Sequence, residues 1–206
     1  MADLAHPNAL IFLDFPCLDL ISNNARFDQI HNQHLHYFTL NSLSTLITSC
    51  GGSIIDIEFN RHFWSSMLIV FCFGRTVRQA EISKPPSRQQ IFNSYLLFKK
   101  YSELIREFID LNNNDTFFGW TASQVFPVLA HHMKLNLNNF ITIIDVDTSK
   151  RGFKYANLDV SVVNPDSVAY FRDVSVLITA PDNAKSILPG LLAERPKKII
   201  HPLISI

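Results

Sequence analysis

The sequence predicts an α/β protein in three parts: a partial sheet module carrying a β-hairpin, a long connecting helix, and a Rossmann-like C-terminal α/β domain. Three observations carry this expectation. From Thr116 onward, short apolar runs alternate with segments of helical spacing, the pattern of βαβ units. Residues 87–111 keep one helical period, with Ile91, Tyr95, Phe98, Ile105 and Phe108 assigned to one face. Residues 53–59 and 67–73 are strand-like and close together, as in a hairpin.

The elements follow in order. Residues 9–15 form an apolar run ended by Pro16, read as a buried strand whose partners come from downstream or from another chain. Residues 39–49 form a short helix, with Thr39 as N-cap, Leu40, Leu43, Leu46 and Ile47 as its stripe, and Gly51-Gly52 as its end. In residues 53–59 strict alternation puts Ile55, Ile57 and Phe59 on one face and Ile54, Asp56 and Glu58 on the other. The continuous apolar run 67–73 predicts a strand buried on both faces. Residues 81–88, with Pro85-Pro86, read as a linker or helix lead-in. On the wet side of the long helix, Lys99 with Glu103 and Arg106 with Asp110 have i,i+4 spacing. The run Asn112 to Asp115 breaks that helix. Strands are expected at 116–119, 140–145, 160–163 (as an edge), 174–179 and 198–201, and helices at 121–133 and 184–192. The resulting divisions are 1–85, 86–112 and 116–206.

Composition bounds the function. An apolar fraction of 47% and 17 phenylalanines describe a folded chain with an aromatic-rich core. Lys+Arg and Asp+Glu balance at 18 each, which leaves no electrostatic footprint for nucleic acid or an anionic membrane and favours self-association. Cys17, Cys50 and Cys72 are odd in number and lack C-x-x-C spacing, so free or buried thiols in a reducing compartment are expected. No run is long enough for a membrane span, and the expected location is the cytoplasm.

The chemistry-bearing stretch runs from Phe27 to Phe38, FDQIHNQHLHYF, with His31, His34 and His36 between aromatic anchors. Imidazoles titrate near neutrality and serve as proton carriers. No Cys or acidic ligand stands at diagnostic spacing from these histidines, so no metal is expected there. The adjacent His131 and His132 fit the cationic end of a helix. Gly119 to Ser123 joins a strand to a helix, a place where backbone N–H groups bind phosphate when glycines expose them. Asp145 ends the next strand, where dinucleotide folds hold a ribose.

The same stretch resembles the word F-D-x-I-Y-H-E-H-x-x-Y-F of the S-adenosylmethionine-dependent sugar C-methyltransferases of deoxysugar biosynthesis. Leu10 to Pro16 is similar to that family's late strand, which ends in E-x-P; Gly51 to Glu58 to its hairpin; Phe118-Gly119-Trp120 to its Y-G-A; Ile144 to Gly152 to its V-D-x-x-x-x-K-x-G; and Ile199 to Pro202 to its closing strand. The resemblance implies the later part of the family's architecture, without most of the S-adenosylmethionine-binding domain. No G-x-G-x-x-G occurs in these residues, and in the Y-H-E-H word the positions are His31, Asn32, Gln33 and His34. The family's base therefore carries over to His34 alone, while Gln33 stands where a carboxylate is expected. The arginine of the family's G-G-S-x-R segment has no counterpart near Trp64 to Leu68.

The resemblance implies a truncated, non-autonomous relative that acts as a nucleotide-sugar-binding or assembly protein. It would bind no cofactor by itself, and S-adenosylmethionine only where a partner supplies the missing domain. A homo-oligomer or a partner protein would cover the incomplete sheet. The alternatives are half of a split methyltransferase with His34 as general base, or a keto-sugar-nucleotide isomerase using His31 and His34. The candidate ligand contacts are Asn32, Gln33, Tyr37 and Asp145.

Overall fold

The computed structural model describes residues 6, 9–60, 64–74, 84–135, 140–156, 158–168 and 171–203. The start of the expected linker, residues 81–83, lies outside them. The chain is α/β and divides into two units, Met1–Tyr95 and Leu96–Ile206.

In the first unit, β1 (Ile11–Pro16), β2 (Gly52–Asn60) and β3 (Ser66–Phe73) form an antiparallel sheet in the order β1-β3-β2. The hairpin is present. The strand expected to be buried, β1, is instead an edge strand paired only with β3 among the described residues, and Phe12 on it is 61% exposed. Its alternation of half-buried and exposed residues shows the reason: one side of the sheet is covered and the other is open. The central strand β3 follows the same rule, with Met67, Ile69 and Phe71 buried and Leu68 and Val70 only half covered.

The covered side is built by α1 (Leu18–Asn23) and α2 (Leu40–Ser49). Cys17, Leu20, Leu40, Leu43 and Ile47 pack there with Ile54, Met67, Ile69 and Phe71. Thr39 caps α2 as expected: its hydroxyl accepts from the Ser42 N–H at 3.1 Å, and the Ser42 hydroxyl accepts from the Thr39 N–H at 3.0 Å. Gly52 is required at the start of β2, because a Cβ there would meet Ile47 Cγ2 at 2.7 Å. The alternation expected in β2 is broken by a bulge between Ile54 and Asp56. The extra residue brings Ile54 to the same core as Ile57 and Phe59.

The long helix α3 spans Arg88–Leu111. Phe98, Ser102 and Ile109 are its buried residues, whereas Phe108 falls outside that face and is 39% exposed. Of the two expected ion pairs, Arg106–Asp110 forms at 3.8 Å and Lys99–Glu103 does not.

The second unit holds β4 (Thr116–Trp120), α4 (Phe126–Met133), β5 (Phe140–Ile144), β6 (Lys154–Tyr155), β7 (Leu158–Val163), β8 (Val174–Ile178), α5 (Ala184–Ala193) and β9 (Lys198–Ile200). The sheet order is β6-β7-β5-β4-β8-β9, parallel except for β6. Taken in chain order, the parallel strands read 3-2-1-4-5, a doubly wound, Rossmann-like arrangement whose order reverses between β4 and β8. The strand expected at the edge, β7, is interior, because the short β6 pairs outside it. One core joins Ile109, Phe117, Phe126, Phe140, Ile143 and Leu177, and a second joins Phe118, Trp120, Val176, Ile178 and Leu191. The helix expected from residue 121 begins only at Phe126, because Thr121 adopts a left-handed φ of 76° that no helix accepts.

Candidate functional site

The histidine-bearing segment is irregular, and polar contacts fix it. After a 3₁₀ turn at Phe27–Gln29, the fully buried Asp28 carboxylate accepts from Arg26 Nε and Nη2, both at 2.9 Å. Phe27 meets Tyr95 edge to face, with ring centroids 5.3 Å apart. The Tyr37 hydroxyl then staples the loop. It accepts from the His31 N–H at 3.0 Å and donates to the Gln29 carbonyl at 3.0 Å. Burial pushes this phenol above its ordinary pKa. A turn closes where His34 N–H donates to the His31 carbonyl at 3.2 Å. The segment then returns beside the end of β1, where the Leu18 N–H donates to the Phe38 carbonyl at 2.9 Å and Cys17 bridges Phe38.

This path separates the sequence candidates. Gln33, His34 and His36 line one open cavity of about 420 Å³, together with Asp14, Phe15 and Leu43. His31, Asn32 and Tyr37 do not line it. The His31 ring packs 5.1 Å from the His34 ring, and His34 lies 6.1 Å from Tyr37. Neither His31 ring nitrogen has a hydrogen-bond partner among the described residues, and both are shielded from solvent. Burial, reinforced by neighbouring His34, lowers the His31 pKa, and Asp28 opposes this. His31 is therefore neutral at physiological pH. The His34 ring also makes no hydrogen bond among the described residues, and His34 lines the cavity.

Sequence reasoning passed over Asp14 as a site residue. The signal was present: Asp14-Phe15-Pro16 stands where the family word has E-x-P. An exposed acceptor, a carboxamide and two imidazoles around one apolar floor can hydrogen-bond a polyhydroxylated ligand and accept a proton from it.

Asp145 lies in the second unit, at the carboxyl end of β5. It is 4% exposed, and its carboxylate is engaged internally. Oδ2 accepts from the Ala122 N–H at 2.8 Å and from Lys150 Nζ at 2.9 Å, and Oδ1 accepts from the Asp147 N–H at 2.8 Å. The carboxylate thus ties the loop after β4 to the loop after β5, where a ribose would need free oxygens. The loop after β4 is tied down in the same way. Tyr155 donates to the Ser123 carbonyl at 2.8 Å, with its phenol pushed by burial up to about 12, and Thr179 Oγ1 donates to the Trp120 carbonyl at 2.7 Å.

Gly119 is the glycine nearest a strand-to-helix turn, but a Cβ there would meet Ile143 Cγ1 at 2.9 Å and Thr179 Cγ2 at 3.0 Å. Its missing side chain makes room for the neighbouring Ile143 and Thr179 side chains. Among the described residues no group of three or more His, Cys, Asp or Glu is placed to hold a metal ion. No described helix is long and apolar enough to cross a membrane. Cys17 and Cys72 are buried and Cys50 is exposed, all as free thiols; burial raises the Cys17 thiol to about 11.

No family model matches the chain. A stretch of 55 residues is 39% identical to C-methyltransferase NovU of Streptomyces niveus, covering 27% of this chain. That match spans 13% of the length of the methyltransferase. The chain is thus methyltransferase-like over part of its length.

Proposed function

We propose that these 206 residues are the acceptor-handling part of a sugar C-methyltransferase-like protein. They bind a nucleotide-linked sugar and do not bind S-adenosylmethionine alone. The observation that carries this reading is the cavity beside β1. It gathers Gln33, His34 and His36 from the family-like word with Asp14 from the family-like strand. Hydroxyl donors on a sugar match the Asp14 carboxylate and the Gln33 carbonyl, and a ring face matches Phe15 and Leu43. Among the described residues β1 is paired on one side only, which fits an assembly role. Exposed Leu10 and Phe12 beside unpaired backbone groups are covered by another strand, from a partner protein, a second copy or further chain. Equilibrium dialysis against a panel of nucleoside diphosphate sugars tests the reading. One or more should be retained, and Asp14→Ala should weaken retention at least about tenfold, the scale of a lost charged hydrogen bond. Retention of none overturns it.

A second reading, in which His34 is a general base, is favoured by its place in the cavity lining with no ring hydrogen bond among the described residues. His34 would take the proton next to a sugar ketone, leaving an enolate. The isomerase alternative draws less support, because His31 stands behind His34 and does not line the cavity. Incubating a keto-sugar nucleotide with the protein in deuterated water separates binding from proton transfer. Deuterium incorporation that is lost in His34→Ala supports the base. Incorporation that survives removes it.

A further inference from the structure

We propose that α3 carries a self-complementary surface through which two copies of this chain pair as antiparallel helices. This goes beyond the acceptor-binding reading and uses none of its residues. Leu97, Leu104 and Leu111 recur every seven residues, and Tyr101 and Phe108 fall between them, so the five form one a/d seam. Leu97 is 43%, Leu104 51%, Phe108 39% and Leu111 85% exposed. The seam is separate from the buried face of Phe98, Ser102 and Ile109, which serves the protein's own core.

The charges beside the seam select the occupant and its direction. Lys100 and Glu107 occupy the same flank, seven residues apart, and both are exposed. Among the described residues they meet an opposite charge only where Arg106 approaches Glu107 at 4.0 Å. A two-fold axis through Leu104 sets Leu97 against Leu111 of a second copy and Tyr101 against Phe108. It also sets Lys100 beside Glu107 twice. A parallel pair instead faces this flank with Phe98, Ile105 and Asn112, which offer no opposite charge. The patch is thus complementary to itself only in the antiparallel sense, which is the geometry of a closed two-fold dimer. The zero net charge of the chain opposes such pairing little.

Sedimentation velocity of the whole protein over a wide concentration range tests the proposal. The wild type should show a monomer–dimer equilibrium. Leu104→Glu should be monomeric wherever the wild type is dimeric, with an unchanged circular dichroism spectrum, because position 104 is exposed. Lys100→Glu and Glu107→Lys should each weaken dimerisation several-fold, and the double variant should restore it. In a Cys50→Ser background, Leu104→Cys should form a disulfide between copies. A protein that stays monomeric, a dimer that survives Leu104→Glu, or a double variant weaker than either single variant overturns the proposal.

Discussion

Tyr37 holds the histidine-bearing loop through one oxygen that both accepts and donates. Tyr37→Phe should cost about 1 kcal/mol in urea unfolding, the usual net worth of a hydrogen bond, and should loosen His31 relative to His34. Arg26 matters more, because its partner Asp28 is fully buried. Arg26→Met leaves that charge without its guanidinium and should destabilise the protein by about 3 kcal/mol. His31 sets a pH dependence. Its folded pKa lies below the unfolded value, so the stability linked to neutral His31 is complete above the unfolded pKa. It is lost as pH falls through the folded value. The urea midpoint should therefore fall on acidification below about pH 6.5, and His31→Gln should flatten that fall. The anchors Phe27, Asp28 and Tyr37 were legible in the sequence. Which histidine faces the cavity was not, because an irregular loop has no period from which direction can be read.

Elements were legible where period and burial agree. The Thr39 cap of α2 and the βα alternation after Thr116 follow directly from side-chain spacing. They were illegible where one residue changes the register. The bulge after Ile54 reverses the faces of β2, and strict alternation carries no sign of it. Likewise the chain turns through a left-handed Thr121, and α4 begins at Phe126, more than one helical turn later than its apolar pattern suggests. Gly119 tests how tightly β4 is packed. Gly119→Ala should cost about 1–3 kcal/mol in denaturant unfolding, because Ile143 and Thr179 already occupy the space of a Cβ.

At the scale of the whole molecule, each unit brings different residues to its strand ends. In the first unit the end of β1, the returning loop and α2 leave an open cavity lined by Asp14, Gln33, His34 and His36. In the second, the corresponding groups around Asp145 and Ser123 are bonded to one another. The sequence suggested ligand contacts in both units, since Asp145 sits at the expected strand end. The Ala122 contact that engages its carboxylate is set by tertiary structure and no spacing announces it, whereas Lys150 stands at the lysine of the D-x-x-x-x-K spacing. The proposed ligand handling therefore belongs to the first unit. Isothermal titration calorimetry of the pure protein with nucleotide-linked sugars and with S-adenosylmethionine tests this assignment most directly. The account predicts micromolar binding of a nucleotide-linked sugar, weakened by Asp14→Ala and unaffected by Asp145→Asn where the fold is retained, with no heat from S-adenosylmethionine. Micromolar binding of S-adenosylmethionine alone, or sugar binding lost in Asp145→Asn but kept in Asp14→Ala, would contradict it.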